Sequence, residues 1–243
     1  MKNRISLLAI IAIVAIIGFG FAACGDDTGG NGTGGNNSGG NTGGTGGNNG
    51  GGNNPPQAYD PNATDGTTNI GKTGPGGGII IYYDKSGFIV TGADSFTANY
   101  LEATPVNQAT VIGNNEGGLS WAPKASVEGT KGGIGTGREN TRLILEKYAD
   151  APAALACKNY DGGDKNDWFL PSIYELKEMY NARNHLGLGN LDNNESFFWS
   201  SSALLGYSGN GCAEIIVFAT GALNVVSFSH VEDRNNVRAV RAF

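Results

Sequence analysis

Asp167–Leu176 reads DWFLPSIYEL, and its reading decides the fold. Trp168-Phe169-Leu170 is extended and apolar. Leu170 precedes a proline, which biases it away from helix. Ser172 is placed to cap a helix, and Glu175, three residues on, completes a capping box. Leu176, Met179 and Tyr180 then line one helical face. Packing and capping account for the whole stretch. The Ser172 hydroxyl is committed to backbone N–H groups and no histidine stands near it in sequence, so it is scaffold and not a nucleophile.

Two more helices are predicted upstream. Thr136-Gly137-Arg138-Glu139 has the capping-box pattern, followed by an apolar face of Leu143, Ile144 and Tyr148. A short helix starts near Asp150 and Pro152 and runs through Cys157. Strands are expected at Ile79–Tyr83, at Phe88–Thr91 after a turn at Asp84–Gly87, and at Tyr100–Ala103. Trp121 reads as a core plug in a Gly-rich segment. The last third is β: Phe197–Ser202, Cys212–Thr220, a turn at Thr220-Gly221, Leu223–Ser229 and Val237–Phe243.

The N-terminus carries an address. Lys2 and Arg4 precede an apolar run, Ile5–Phe21, and Phe21-Ala22-Ala23-Cys24 closes it with small residues. This describes a secretory signal, and the cysteine at the cut resembles the bacterial lipobox, with Cys24 as the lipidation site. Two or more acyl chains anchor stably. The other reading is an uncleaved anchor, since about 17 apolar residues nearly span a bilayer. Gly25–Asn54 then holds 15 glycines in 30 residues, with Asn, Thr and Ser filling most of the rest. Such a chain buries nothing that offsets its ordering entropy. It should be a tether with a coil span on the order of 30 Å. The expected organisation is a signal at 1–23, lipidated Cys24 and tether at 24–70, and one domain at 71–243. The address is the cell envelope: lipid-anchored in the outer membrane, surface-exposed or facing the periplasm.

Charge narrows the partners. The net formal charge of −6 becomes −8 without Lys2 and Arg4. Phosphate backbones gain nothing from an acidic protein, so nucleic acid is not an expected partner. Cys157 and Cys212 form an even pair in an exported chain, which suggests a disulfide; two separate buried thiols are the alternative. With only His185 and His230 beside them, no zinc pattern exists. Asp161, Asp164, Asn166 and Asp167 make an oxygen-rich loop that lacks the closing glutamate of a recognised calcium loop. No metal, cofactor or catalytic group is expected.

The strings GPGGGIIIYYD, YLEATP, LSWAPKA, IGTGREN, DWFLPSIYEL, FWSSS and VRAVRAF occur in that order. In this the chain resembles a bacterial family of C-type-lectin-like domains, found at the C-terminus of a collagen-like adhesin and related to the variable receptors of diversity-generating retroelements. The resemblance covers about Gly71–Phe243. It implies an α+β fold: two helices beside a small, mostly antiparallel sheet whose N- and C-terminal strands pair, here Ile79–Tyr83 beside Val237–Phe243. It also implies a ligand surface in the C-terminal third, roughly Ala203–Asn236. Candidate contacts there are Tyr207, Ser208, Asn210, Asn224, Ser227, Ser229, His230, Arg234, Asn235 and Asn236. Tyr, Ser and Asn combine stiff area with adaptable hydrogen bonding. The richest receptors carry far more tyrosine, and this segment has only Tyr207. The calcium and sugar motifs of animal lectins, Glu-Pro-Asn and Trp-Asn-Asp, are missing. The tether lacks a Gly-X-Y period, so no collagen-like trimerisation is expected.

Three functions compete. The first is a lipid-anchored, adhesin-like module binding an extracellular protein or glycan. The second is a structural envelope lipoprotein without a soluble ligand. The third is an oxidase-like enzyme of the formylglycine-generating fold, using Cys157 and Cys212.

Overall fold

A computed structural model describes residues 57–110, 117–188, 197–204, 211–218 and 226–243. The expected signal, Cys24, residues 25–56 of the expected tether, Tyr207, Ser208, Asn210, Asn224 and the expected Thr220-Gly221 turn lie outside them. The fold is α+β, with three α-helices and two small antiparallel sheets among the described residues. The first sheet orders β1 (Ile79–Val90), β2 (Phe96–Ala103) and β6 (Val240–Ala242) as β1-β2-β6. The second orders β3 (Phe197–Leu204), β4 (Cys212–Val217) and β5 (Val226–His230) as β3-β4-β5.

The C-terminal strand does join the first sheet, but not beside Ile79–Tyr83. Its partner is β2, in the register Leu101↔Ala242 and Ala103↔Val240. The expected pairing fails because β1 pairs with β2 on one edge and with the Gly71–Thr73 segment on the other, leaving the outer edge of β2 for β6. Asp84–Gly87 is likewise no hairpin turn. Tyr83 pairs with Tyr100 and Phe88 with Ala98, so these four residues bulge opposite Asn99 alone. Its amide fills the bulge by donating to the Asp84 carbonyl at 2.7 Å, and Gly87 absorbs the bend at φ 77°.

The second sheet meets the rest of the body through β3 and β4. Phe198, Trp199, Ser200, Ser201 and Ser202 are all buried. Buried hydroxyls need partners, and the serines find them on three sides. Ser200 Oγ donates to the Glu214 carbonyl, and Ser201 Oγ accepts from the Asn140 amide. Ser202 Oγ donates to the Lys131 carbonyl and accepts from the Ile173 N–H. Trp121 is buried as expected, its indole N–H on the Ser200 carbonyl at 2.7 Å. Trp199 answers with its own N–H on the Leu119 carbonyl, also at 2.7 Å.

The helices are α1 (Gly137–Lys147), α2 (Pro152–Lys158) and α3 (Ile173–Asn181). One apolar cluster joins α3 to the first sheet and to Phe198 and Phe218. A second gathers α1, α2 and the three tryptophans. The Asp167–Leu176 stretch belongs to both. Phe169 exchanges two backbone bonds with Val240, at 2.9 and 3.0 Å, while Trp168 and Leu170 face the second cluster. The Ser172–Glu175 capping box forms.

The box read at Thr136 does not. Thr136 Oγ1 donates to the carbonyls of Lys131 and Gly133, and Glu139 turns to Arg142. Glu175 takes over the vacant role. Its carboxylate accepts from the Ser172 N–H at 2.6 Å, from the Gly135 N–H at 2.8 Å, and from the Gly137 N–H. One buried carboxylate thus serves the N-termini of α1 and α3 together. A Cβ at Gly137 would sit 2.2 Å from Glu175 Oε2, so the arrangement admits only glycine there.

Residues 57–70, read from the sequence as tether, pack against the first sheet. Tyr59 N–H donates to the Thr73 carbonyl and Thr73 N–H to the Gln57 carbonyl, both at 2.8 Å. The Tyr59 ring meets Tyr100 and Phe243 edge-on at 5.3 and 5.4 Å. The apolar partners that hold this strap come from β2 and the C-terminal residue, which is why local composition reads as loop. Among the described residues, no helix is long and apolar enough to cross a membrane.

Candidate functional site

The C-terminal third divides into residues that face outward and residues that knit strands together. Asn235, Asn236 and Arg238 are buried. Asn236 bridges the second sheet to the chain end: its N–H and its amide both donate to the Phe197 carbonyl at 2.9 Å, and Trp199 N–H donates to its carbonyl. Asn235 exchanges backbone bonds with Leu119, and its Nδ2 has no partner among the described residues. Arg234 is exposed but donates to the Gly118 carbonyl at 2.8 Å, pinning the 117–121 loop. Arg238 supplies no basic patch. It is enclosed by the carbonyls of Thr104, Pro105 and Leu186, and burial pulls its pKa down to about 10. Of the described candidates, Arg234, Asn235 and Asn236 are therefore scaffold.

Ser227, Ser229 and His230 remain, all on β5. This strand has no fully buried residue, and two apolar side chains sit among the polar ones. Val226 is 44% and Phe228 43% exposed. Strand alternation puts Val226, Phe228 and His230 on one face and Ser227 and Ser229 on the other. Asp233 closes the end of the strand, accepting from Ser229 Oγ at 2.6 Å and from the His230 N–H at 3.0 Å. The register Glu214↔Phe228 and Ile216↔Val226 fixes this face on β4.

The disulfide expectation is corrected: Cys157 and Cys212 are free thiols, both buried. Cys157 lies on α2 inside the tryptophan cluster. Cys212 opens β4, with its Sγ 3.8 Å from His230 Nδ1. Burial pushes both thiols up, and the Asp233 charge pushes Cys212 further. A thiol held protonated is neither nucleophile nor ligand. Denaturing the unreduced protein should release both to a thiol reagent. A titration that finds neither would restore the bridge.

Of the oxygen-rich loop, Asp167 is drawn into scaffold. Arg241 Nε meets Asp167 Oδ1 at 2.5 Å, and its Nη1 meets Glu102 Oε1 at 2.8 Å. Glu102 accepts in turn from the N–H groups of Gly76 and Gly78 at 2.9 and 3.1 Å. Burial pushes its carboxyl up, while Arg241 and these amides pull it down. Among the described residues, no cluster of three or more His, Cys, Asp or Glu is arranged to hold a metal ion.

A cleft of about 490 Å³ opens between α1, the β1–β2 turn and the Asp167–Phe169 segment. Arg138, Thr141, Arg142, Leu145 and Glu146 recur at helical spacing, so one stripe of α1 forms a wall. Leu145, Trp168 and Phe169 supply apolar lining. Arg142 is clasped by Glu139 through two bonds, at 2.8 and 2.9 Å, and by Glu146 at 2.9 Å. Arg138 donates to the Asp94 carbonyl at 3.0 Å and rests over the Phe96 ring. Lys158 Nζ donates to the Asn166 carbonyl. The sequence reading missed this cleft. Its one visible signal was the alternation of Arg and Glu along α1, which reads as a solvated helix face.

Compared with models of known protein families the chain matches none, and no curated protein matches it.

Proposed function

We propose that this chain is a lipid-anchored binding module of the bacterial cell envelope. Cys24 carries the lipid, the Gly/Asn/Thr-rich segment is the leash, and a C-type-lectin-like domain does the binding. The observation that carries this reading is β5. A strand that exposes Val226 and Phe228 on one face, with His230 beside them, fits contact with an extracellular protein. Apolar side chains at the centre of a patch and adaptable polar groups around them are the usual composition of such contacts. The α+β body, with its C-terminal strand in the sheet of the N-terminal strands, supports the C-type-lectin-like assignment. The oxidase-like alternative needs a reactive thiol, and burial opposes it at Cys157 and Cys212.

The test is solid-phase binding of the purified protein to a panel of extracellular matrix proteins. A partner captured by the wild type should be lost, by about tenfold or more, in a Phe228→Ala, His230→Ala variant. Binding unchanged by that pair would move the surface elsewhere. Failure to bind any panel member, with the fold intact, favours the structural envelope role.

A further inference from the structure

We propose that the cleft beside α1 binds a small, elongated dicarboxylate, with one carboxylate at Arg138 and the other at Lys158. The inference does not rest on the β5 surface, which belongs to another part of the fold.

The wall holds four carboxylates and three cations, and their pairing is uneven. Arg142 is held by Glu139 and Glu146, and Asp167 by Arg241. Among the described residues, Arg138 and Lys158 are in no ion pair. Each makes one hydrogen bond there, to a neutral group. Arg138 Nη1 donates to the Asp94 carbonyl at 3.0 Å, and Lys158 Nζ to the Asn166 carbonyl at 3.1 Å. A guanidinium has five N–H donors and an ammonium three. Four donors on Arg138 and two on Lys158 therefore remain, each set on a full positive charge.

This imbalance decides the ligand class. An anion gains both cations without displacing a carboxylate, and charge-assisted hydrogen bonds are the strong ones. A neutral ligand leaves both charges unanswered. A cationic ligand meets two like charges, and only Asp94, which is exposed, stands unpaired among the acids of the wall.

Position sets the shape of the ligand. Arg138 lies in the first turn of α1, beside Gly92 and Asp94. The 167–172 segment runs antiparallel to α1. Ser172 N–H shares the Glu175 carboxylate with Gly137 N–H, and Leu170 N–H reaches Thr141 Oγ1 at 3.0 Å. Continued back to Asp167, the segment arrives at the level of Leu145 and Glu146, where all three line the cleft. Lys158 is bonded there, to Asn166. The two cations thus stand at opposite ends, roughly 10 Å apart along the helix. Each carries a single charge, and the acids of the wall oppose any surplus. Two singly charged groups at the ends of one molecule fit better than one doubly charged group, and a monocarboxylate answers only one end. A volume of about 490 Å³ suits a small molecule. Arg138 is half-buried and rests over the Phe96 ring, 5.8 Å from its centroid, so its fork is ordered before a ligand arrives.

The experiment is a titration of the full chain by calorimetry and amide NMR shifts. The probes are suberate, with an aliphatic body, and digalacturonate, with a hydroxylated one. Succinate is the short control, hexanoate the single-carboxylate control and hexamethylenediamine the cationic control. The expected result is saturable binding of suberate or digalacturonate, tighter than about 1 mM, and the one preferred identifies the body of the ligand. The three controls should bind about fivefold or more weakly, since each loses a charged contact. Shifts should map to Asp94, Arg138 and Asn166, and affinity should fall as salt rises. Arg138→Gln should weaken binding by about tenfold, and Arg138→Lys, which keeps the charge and loses the fork, by less. Lys158→Gln should weaken it by about threefold. Lys158 is exposed, so this variant tests the same claim should Arg138→Gln lower the melting temperature. The proposal is overturned if neither long dicarboxylate binds, if succinate or hexanoate binds as tightly, if binding survives Arg138→Gln and Lys158→Gln together, or if the diamine takes the cleft instead.

Discussion

Arg241→Ala should lower the melting temperature by roughly 10 °C, corresponding to a loss of about 3–5 kcal/mol. The guanidinium sits at the centre of a buried junction. It holds Glu102, whose side chain is fully enclosed, and Asp167, which is partly open. Glu102 in turn fastens the glycine loop through the Gly76 and Gly78 amides. Without the guanidinium, a carboxylate stays buried with only backbone donors. It must either remain charged at high cost or take up a proton and give up acceptor capacity. Replacing both partners, as in Glu102→Gln with Arg241→Met, should cost clearly less than Arg241→Ala alone, since no charge is stranded. Thermal denaturation of the two variants checks this. Equal melting temperatures would mean that the glycine loop, and not the ion pair, fixes the junction.

The second large effect is at Glu175. Glu175→Ala leaves three buried N–H groups, from Ser172, Gly135 and Gly137, without an acceptor. At about 1–3 kcal/mol for each unsatisfied donor, the loss should reach about 3 kcal/mol or more. The wild-type residue also carries a pH signature. Burial pushes its carboxyl up to about 7, against the pull of the three amides. The folded state therefore holds this proton more tightly than the unfolded chain does. Stability from Glu175 is fully present below the ordinary glutamate range, near pH 4.5, and is lost as pH rises through about 7. Glu175→Gln removes the titration. Denaturant unfolding of both proteins between pH 4.5 and 8 should show their stability difference narrowing, or reversing, by about 3 kcal/mol across that window. Parallel curves would mean that the amides win and the carboxylate stays ionised throughout.

What the sequence made legible was local. LPSIYEL forms its own cap because Ser172 and Glu175 lie one turn apart, and no distant residue is needed to see it. FWSSS, Trp121 and the three helices were readable for the same reason. Composition failed where a distant group changes the meaning of a pattern. Asp84–Gly87 has turn chemistry, yet it bulges because Asn99, from the next strand, satisfies its carbonyls. Thr136–Glu139 has capping chemistry, yet Glu175 reaches it first from α3. Arg234, Asn235 and Asn236 look like contact residues, and a list of residue types cannot separate an amide facing solvent from one stitching two strands. The cleft was hidden likewise: its α1 stripe is readable, but the turn and the Asp167–Phe169 segment that enclose it come from elsewhere in the chain.

The strap at the start of the domain has a mechanical consequence. Tension applied at Gln57 is met first by the Tyr59–Thr73 and Thr73–Gln57 backbone bonds. Behind them stands the ring stack of Tyr59, Tyr100 and Phe243, so the strain passes into β2 and the chain terminus. β6 is clamped on its far side by Phe169. A pull on Gln57 is thus received by the sheet β1-β2-β6, and none of these contacts involves β3-β4-β5.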